Sequence, residues 1–184
     1  SARREPRLVV DIYAAIGEAY QKNEDLSRSI DYLRRALAKT QDPAQELRLL
    51  LLLASSFAGL GDIEASDRML ARATERAGAS PDAQLRCLVL KTRSLLLFFR
   101  GEMPGCLRAC LEGADISQAV GAPAEEMVFL HNAGDCCLRL GDLARAHHLL
   151  SRSQELARTH GLARNHLTNE ILLAYLDGLQ GGAD

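Results

Sequence analysis

The chain has no tryptophan, and aromatic residues fill only 4% of its 184 positions. Leu and Ala carry the apolar content instead, a balance that favours helices over sheets. No stretch approaches the roughly 18 uncharged apolar residues that a membrane span needs. The most apolar run, Leu47 to Leu53, already contains Arg48. Excess charge is missing too: the formal net charge is -2 and the pI about 6.2. That balance argues against a general electrostatic grip on nucleic acid. No apolar segment follows Arg3-Arg4, because Asp11 and Glu18 intervene, so no signal peptide is expected there. An initiator Met is absent, and the chain is expected to be a piece of a longer protein. Lysine is scarce: Lys22, Lys39 and Lys91 are three of 22 basic residues, an arginine bias associated with GC-rich bacterial genomes. The five cysteines are odd in number and lack a framework spacing, which predicts reduced thiols and a cytoplasmic setting. No residue sits in a nucleophile elbow, a P-loop or an HExxH helix, so neither catalysis nor a cofactor is expected.

What is present is a repeat. A short polar turn recurs as Asn23-Glu24-Asp25, Gly61-Asp62, Gly101-Glu102 and Gly141-Asp142, and Gly181-Gly182 falls where a fifth would begin. From Gly61 onward the step is 40 residues. Hydrophobic residues, 47% of the chain, flank each turn at helical spacing. Leu49, Leu50, Leu53, Phe57 and Leu60 precede one turn, and Leu143, Leu149, Leu150 and Leu156 follow another. Glycine accepts a left-handed backbone at the end of the first helix, and the next Asp caps the second. Asp42-Pro43 and Ser80-Pro81 pair an N-cap with a proline at the first helical position, Ala122-Pro123 is a weaker version, and Gly161 stops the fourth pair.

These signals predict an all-α chain of nine helices near 6–22, 25–39, 43–59, 62–77, 82–99, 103–120, 123–139, 142–160 and 164–179. One helix pair cannot bury its apolar face alone, whereas stacked pairs share a continuous core. The expected organisation is a single solenoid domain over 1–184. Its repeats run over about 6–41, 42–79, 80–121 and 122–161, with a capping helix at 162–180.

Ile16-Gly17-x-x-Tyr20, Asp25 and Ser29-Ile30-x-Tyr32-Leu33-x-x-Ala36-Leu37 resemble a tetratricopeptide repeat. Leu53-Ala54-x-x-Phe57, Ser66, Leu70 and Ala73 follow the same pattern, as do Ala133-Gly134-x-x-Cys137, Ala146, Leu150 and Ser153. The third repeat fits by size through Ser94, Leu97, Cys106, Cys110 and Gly113, with Arg93 where an apolar residue is usual. The long repeats are similar to those attached to kinases, switch ATPases or transcription activators in bacterial signalling proteins.

The resemblance implies a right-handed superhelix whose first helices line a concave face. Positions expected there are Asp11, Ala14, Glu18 and Gln21, then Arg48, Leu51, Ser55 and Ala58. Leu88, Lys91, Leu95, Phe98 and Phe99 follow, then Val128, His131, Asn132, Asp135 and Arg139, and finally Thr168, Ile171, Leu172 and Tyr175. The implied function is capture of a protein or peptide, in cis or in trans. The residues expected to touch it are Lys91, Leu95, Phe98, Phe99, His131, Asn132, Asp135, Arg139, Ile171 and Tyr175. Self-association or autoregulation of a parent protein, including a homodimer, is the competing reading; nucleic-acid and membrane partners are not expected. Lys91, Asn132 and Arg139 resemble part of a chaperone-carboxylate clamp, but Ala14, Glu18 and Leu51 do not complete it.

Other candidates have plainer readings. Cys106 and Cys110 lie four apart on one helical face, as two metal ligands should, yet both occupy packing positions. Cys136 and Cys137 cannot point one way, and Cys137 takes the buried aromatic position. His147 falls on the packed face and His148 toward solvent. Glu125-Glu126 opens a helix, where negative charge suits the dipole.

Overall fold

The computed structural model describes residues 4–77, 82–161 and 163–181. Among them are nine helices and no strand. They are α1 (Arg4–Lys22), α2 (Leu26–Leu37), α3 (Pro43–Gly59), α4 (Ile63–Ala77), α5 (Ala83–Phe99), α6 (Met103–Ala119), α7 (Pro123–Arg139), α8 (Leu143–Thr159) and α9 (Ala163–Gly181). Every helix expected from the sequence is present. Their ends agree within about two residues, the largest differences being at the start of α1 and at the ends of α2 and α9.

The turns work as their chemistry predicts. Gly61, Gly101 and Gly141 have φ of 81°, 74° and 80°, while the first turn places Glu24 in the same region at 63°. Each turn closes with a backbone bond five residues back: Asp25 N to Tyr20 O, Asp62 N to Phe57 O, Glu102 N to Leu97 O and Asp142 N to Cys137 O, all at 2.9–3.0 Å. This is the six-to-one bond of a Schellman motif. Asp25, Asp62 and Asp142 then accept from Arg28 N, Ala65 N and Arg145 N at 3.2, 2.9 and 3.2 Å. Glu102 makes no such cap bond. Asp42 caps α3 as expected. The Ser80-Pro81 pair lies outside the described residues, and the cap of α5 is Asp82.

The chain groups into two compact units, Ser1–Ser80 and Pro81–Asp184. In the first, α1 packs on α2, α2 on α3 and α3 on α4. Val10, Ile30, Leu33, Ala36, Leu49, Leu53, Phe57 and Ala65 form its core. Burying a Leu such as Leu33 contributes roughly 1.5–3 kcal/mol. Leu33 fits because Gly17 faces it: a Cβ on Gly17 would stand 2.7 Å from Leu33 Cγ. In the second unit α5 to α9 pack in sequence, around Leu90, Phe129, Leu130, Ala133, Leu150, Leu176 and buried thiols. Gly113 and Gly134 play the part of Gly17 here, leaving room for the Phe129 ring and for Leu150. In the third repeat Leu90 and Ser94 are buried and Arg93 is exposed, so its helix turns the arginine away from the core.

Candidate functional site

All ten residues singled out as partner contacts lie in the second unit, on α5, α7 and α9. Phe98 and Phe99 end α5. Their rings meet edge to face, 5.9 Å apart at 85°, with Phe98 half-buried against the core and Phe99 46% exposed. Leu95 sits one turn earlier and is half-buried, and Lys91 is exposed. On α7, Asp135 and Arg139 are four residues apart, and Arg139 Nε donates to Asp135 Oδ2 at 3.0 Å. The Arg139 guanidinium also lies 4.7 Å from the centre of the Phe98 ring. These contacts join the end of α5 to α7 as one surface in which two aromatic rings border an ion pair. A cation–π contact contributes about 0.5–1 kcal/mol at exposed sites and an i,i+4 pair about 0.3–0.5 kcal/mol. Neither compares with the burial of Phe129, so the surface is not what holds the helices together.

His131 stands one turn before Asp135 on α7 and is half-buried. Its Nδ1 stands 2.6 Å from Asn169 Oδ1, while Asn169 Nδ2 donates to Ser153 Oγ at 2.8 Å and Ser153 Oγ donates to Met127 O at 3.0 Å. With the Asn169 amide nitrogen already donating to Ser153, its oxygen is the acceptor and His131 Nδ1 carries the proton. Of the expected stripe, His131 ties α7 to α9, while Asp135 and Arg139 pair beside the aromatic edge. Asn132 is half-buried. On α9, Ile171 and Tyr175 belong to an exposed apolar row with Leu167 and Leu179, at 61%, 56%, 60% and 43% exposure.

The thiols cluster. Cys106, Cys110 and Cys136 are buried, and Cys136 Sγ donates to Cys106 Sγ at 3.2 Å across α6 and α7. Hydrogen bonds from Cys110 and then Cys136 pull the Cys106 thiol below its ordinary range, against burial and the Asp135 charge. The bond to Cys106 pushes both Cys110 and Cys136 up, with burial adding to it. Burial raises Cys137 as well. Two thiolates on one tetrahedral zinc stand about 3.8 Å apart. No group of three or more His, Cys, Asp or Glu among the described residues is arranged to hold a metal ion.

Residues 10–38, within α1 and α2, match the family model of the tetratricopeptide repeat. No curated protein matches the chain by sequence. Solved structures match nearly all of it. A Signal Transduction ATPase with Numerous Domains from Pyrococcus horikoshii, which carries a tetratricopeptide repeat sensor, is 17% identical with a TM-score of 0.82, over 97% of this chain and 29% of that one. The chain has the tetratricopeptide-repeat fold.

A Rap protein complexed with competence and sporulation factor is 14% identical with a TM-score of 0.83, over 95% of this chain and 50% of that one. Aspartyl phosphate phosphatase F from Bacillus subtilis is 14% identical with a TM-score of 0.78, over 99% of this chain and 49% of that one. The chain thus spans no more than half the length of these three. Among its tetratricopeptide packing positions, Ser29, Ala36, Ser66, Ala73, Ala146 and Ser153 are all fully covered.

Two positions expected on the open face are not open. Leu51 and Ala58 are buried, because α3 packs on α1, α2 and α4 and, from Leu47 to Gly59, its covered positions leave only a stripe through Arg48, Leu52, Ser55 and Gly59 not fully buried. Glu126, read as a helix-opening charge, is buried and paired with Arg152 of α8. His147 is half-buried and meets Asp177 at 3.4 Å, while His148 is exposed. Sequence reasoning missed Asn169 altogether. The one available signal was a polar residue on the apolar face of α9.

Proposed function

We propose that the chain is a protein-binding module that holds a peptide or partner protein against α5 and α7. Tetratricopeptide repeats generally serve as non-catalytic interaction scaffolds, and the observation that carries this reading is the Phe98–Arg139–Asp135 surface. Burial of the two rings supplies affinity, and the charged pair fixes the register of the bound chain. Lys91, Leu95 and Asn132 lie on the same two helices and extend the contact, with Ile171 and Tyr175 completing it on α9. His131, one turn before Asp135 on α7, belongs to the same proposed contact. A solved Rap protein holding competence and sporulation factor has this fold, which fits a role in bacterial signalling or regulation. The repeats at 6–41, 42–79, 80–121 and 122–161, with the helix at 162–180, are taken as one solenoid domain of a larger cytoplasmic protein. No helix among the described residues is long and apolar enough to cross a membrane.

The test selects a displayed peptide library on the protein and titrates the recovered peptides by calorimetry. Phe98→Ala and Arg139→Glu should each weaken binding, and Arg68→Ala on α4 should not. Peptides that bind the Phe98→Ala protein as tightly as the parent would overturn the reading.

A second reading has its own observation. The exposed row Leu167, Ile171, Tyr175 and Leu179 supports self-association or autoregulation within a kinase, switch ATPase or transcription activator. Sedimentation over a concentration series separates the two, because Ile171→Glu with Tyr175→Glu should abolish a dimer and leave Phe98-dependent peptide binding intact.

A further inference from the structure

We propose that Cys106 and Cys136 are a reversible oxidation site, joined by a disulfide between α6 and α7 when the protein meets a peroxide. The inference is independent of the peptide-binding proposal.

The geometry favours this pair because its two sulfurs meet across a helix interface. The two sulfurs already stand 3.2 Å apart, and a disulfide bond of about 2.04 Å needs an approach of only about 1.2 Å. The pair joins two helices that pack along their length, so the bond would link groups already held together rather than drag distant segments into contact. The other thiols are differently placed. Cys87 meets the Ser117 hydroxyl at 3.4 Å, and Cys137 faces away from Cys136 because adjacent helical residues point about 100° apart. Cys110, one turn beyond Cys106 on the same helix, hydrogen-bonds to both partners.

The step balances with hydrogen peroxide as oxidant. The Cys106 thiolate attacks one peroxide oxygen; the S–O bond forms, the O–O bond breaks, and the departing hydroxide takes a proton to become water. Cys106 is then a sulfenic acid beside Cys136. The Cys136 sulfur attacks it, the S–S bond forms and the S–O bond breaks, and the second hydroxide leaves as water with the Cys136 proton. Two thiols lose two electrons and two protons, and one peroxide becomes two waters. The hydrogen bonds from Cys110 and Cys136 that favour the Cys106 thiolate name it as the attacking sulfur. Burial of all three sulfurs keeps outside thiols away from the sulfenic acid and leaves Cys136 beside it.

The experiment treats the reduced 184-residue protein with hydrogen peroxide under native conditions, alkylates the remaining thiols after denaturation, and maps the peptides by mass spectrometry. The expected result is a Cys106–Cys136 cross-link, with Cys87 and Cys137 alkylated, reversed by dithiothreitol. The oxidised protein should also melt at a higher temperature than the reduced one, a difference that vanishes in Cys136→Ala. That variant should trap dimedone at Cys106. A native protein that gives no cross-link, or links through Cys87, Cys110 or Cys137, overturns the proposal. The mapping uses the unmutated chain, so misfolding of a cysteine variant cannot obscure it.

Discussion

The two units are built on the same helix pair and use their polar residues differently. In the first, the positions that a partner would meet are occupied by one another. Gln45 donates to Asp11 at 2.6 Å, Arg48 pairs with Glu18 at 2.7 Å, and Gln21 donates to Ser56 at 3.1 Å. Its aromatics are likewise engaged: Tyr20 stacks on Tyr32 at 5.6 Å, with Arg28 and Arg35 over their rings. In the second unit the polar residues inside the packing form a continuous chain through His131, Asn169 and Ser153, while Phe99 and Arg139 stay at the surface. The first unit pairs these polar and aromatic side chains internally, and the second leaves an aromatic edge beside a charged pair. Two units of one fold thus present different surfaces, because their polar side chains are paired in different places.

The largest test of that contrast concerns the core. Phe129→Ala should cost about 3–5 kcal/mol, because its ring fills the space opposite Gly113. Chemical denaturation followed by circular dichroism reads the loss, and a loss under 1 kcal/mol would mean that the ring is not a packing element. Next comes Phe98→Ala, which should weaken peptide binding by about 2 kcal/mol or more. The matching change in the first unit, Tyr20→Ala, should leave binding where it was. An equal effect of both in calorimetry would erase the proposed difference between the units.

Asn169→Ala removes the central link between His131 and Ser153 and should destabilise by about 1–3 kcal/mol. Hydrogen exchange would register it as lost protection in α9, and unchanged α9 amides would show that the link is dispensable. The smallest effects belong to the caps. Asp142→Ala should cost about 1 kcal/mol, and Glu102→Asp should gain a few tenths by restoring the bond that the other turns have. Thermal melts that rank these two the other way would show that the turns are not interchangeable.

The turns and helices were legible because their causes are local. A glycine, an aspartate and an apolar residue every three or four positions act within a few residues of themselves, and α3, α5 and α7 end where that pattern predicts. The partnerships were not legible. Periodicity tells which side of a helix Asn169 or Cys136 occupies, but not which side chain from another helix will meet it. His131 and Asn169 are 38 residues apart, and Cys106 and Cys136 are 30 apart. Leu51 shows the same limit from the other direction. Its place on the first helix of a pair was read correctly, but its burial depends on how many neighbours surround α3. The aromatic edge could be read because Phe98 and Phe99 are adjacent at a helix end, where few packing positions remain.

The closing bond of each turn is made entirely by backbone, from the residue after the left-handed position to a carbonyl five residues earlier. Even the first turn, with Glu24 in place of glycine, makes it. A joint that refers only to its own main chain carries no memory of which helices it connects. Such a chain can lengthen or shorten in whole forty-residue steps during descent, by duplication or loss of a segment, without a new hinge having to be invented at the seam. Surfaces like the Phe98–Arg139 edge can then diverge on one copy while a sister copy keeps the scaffold intact.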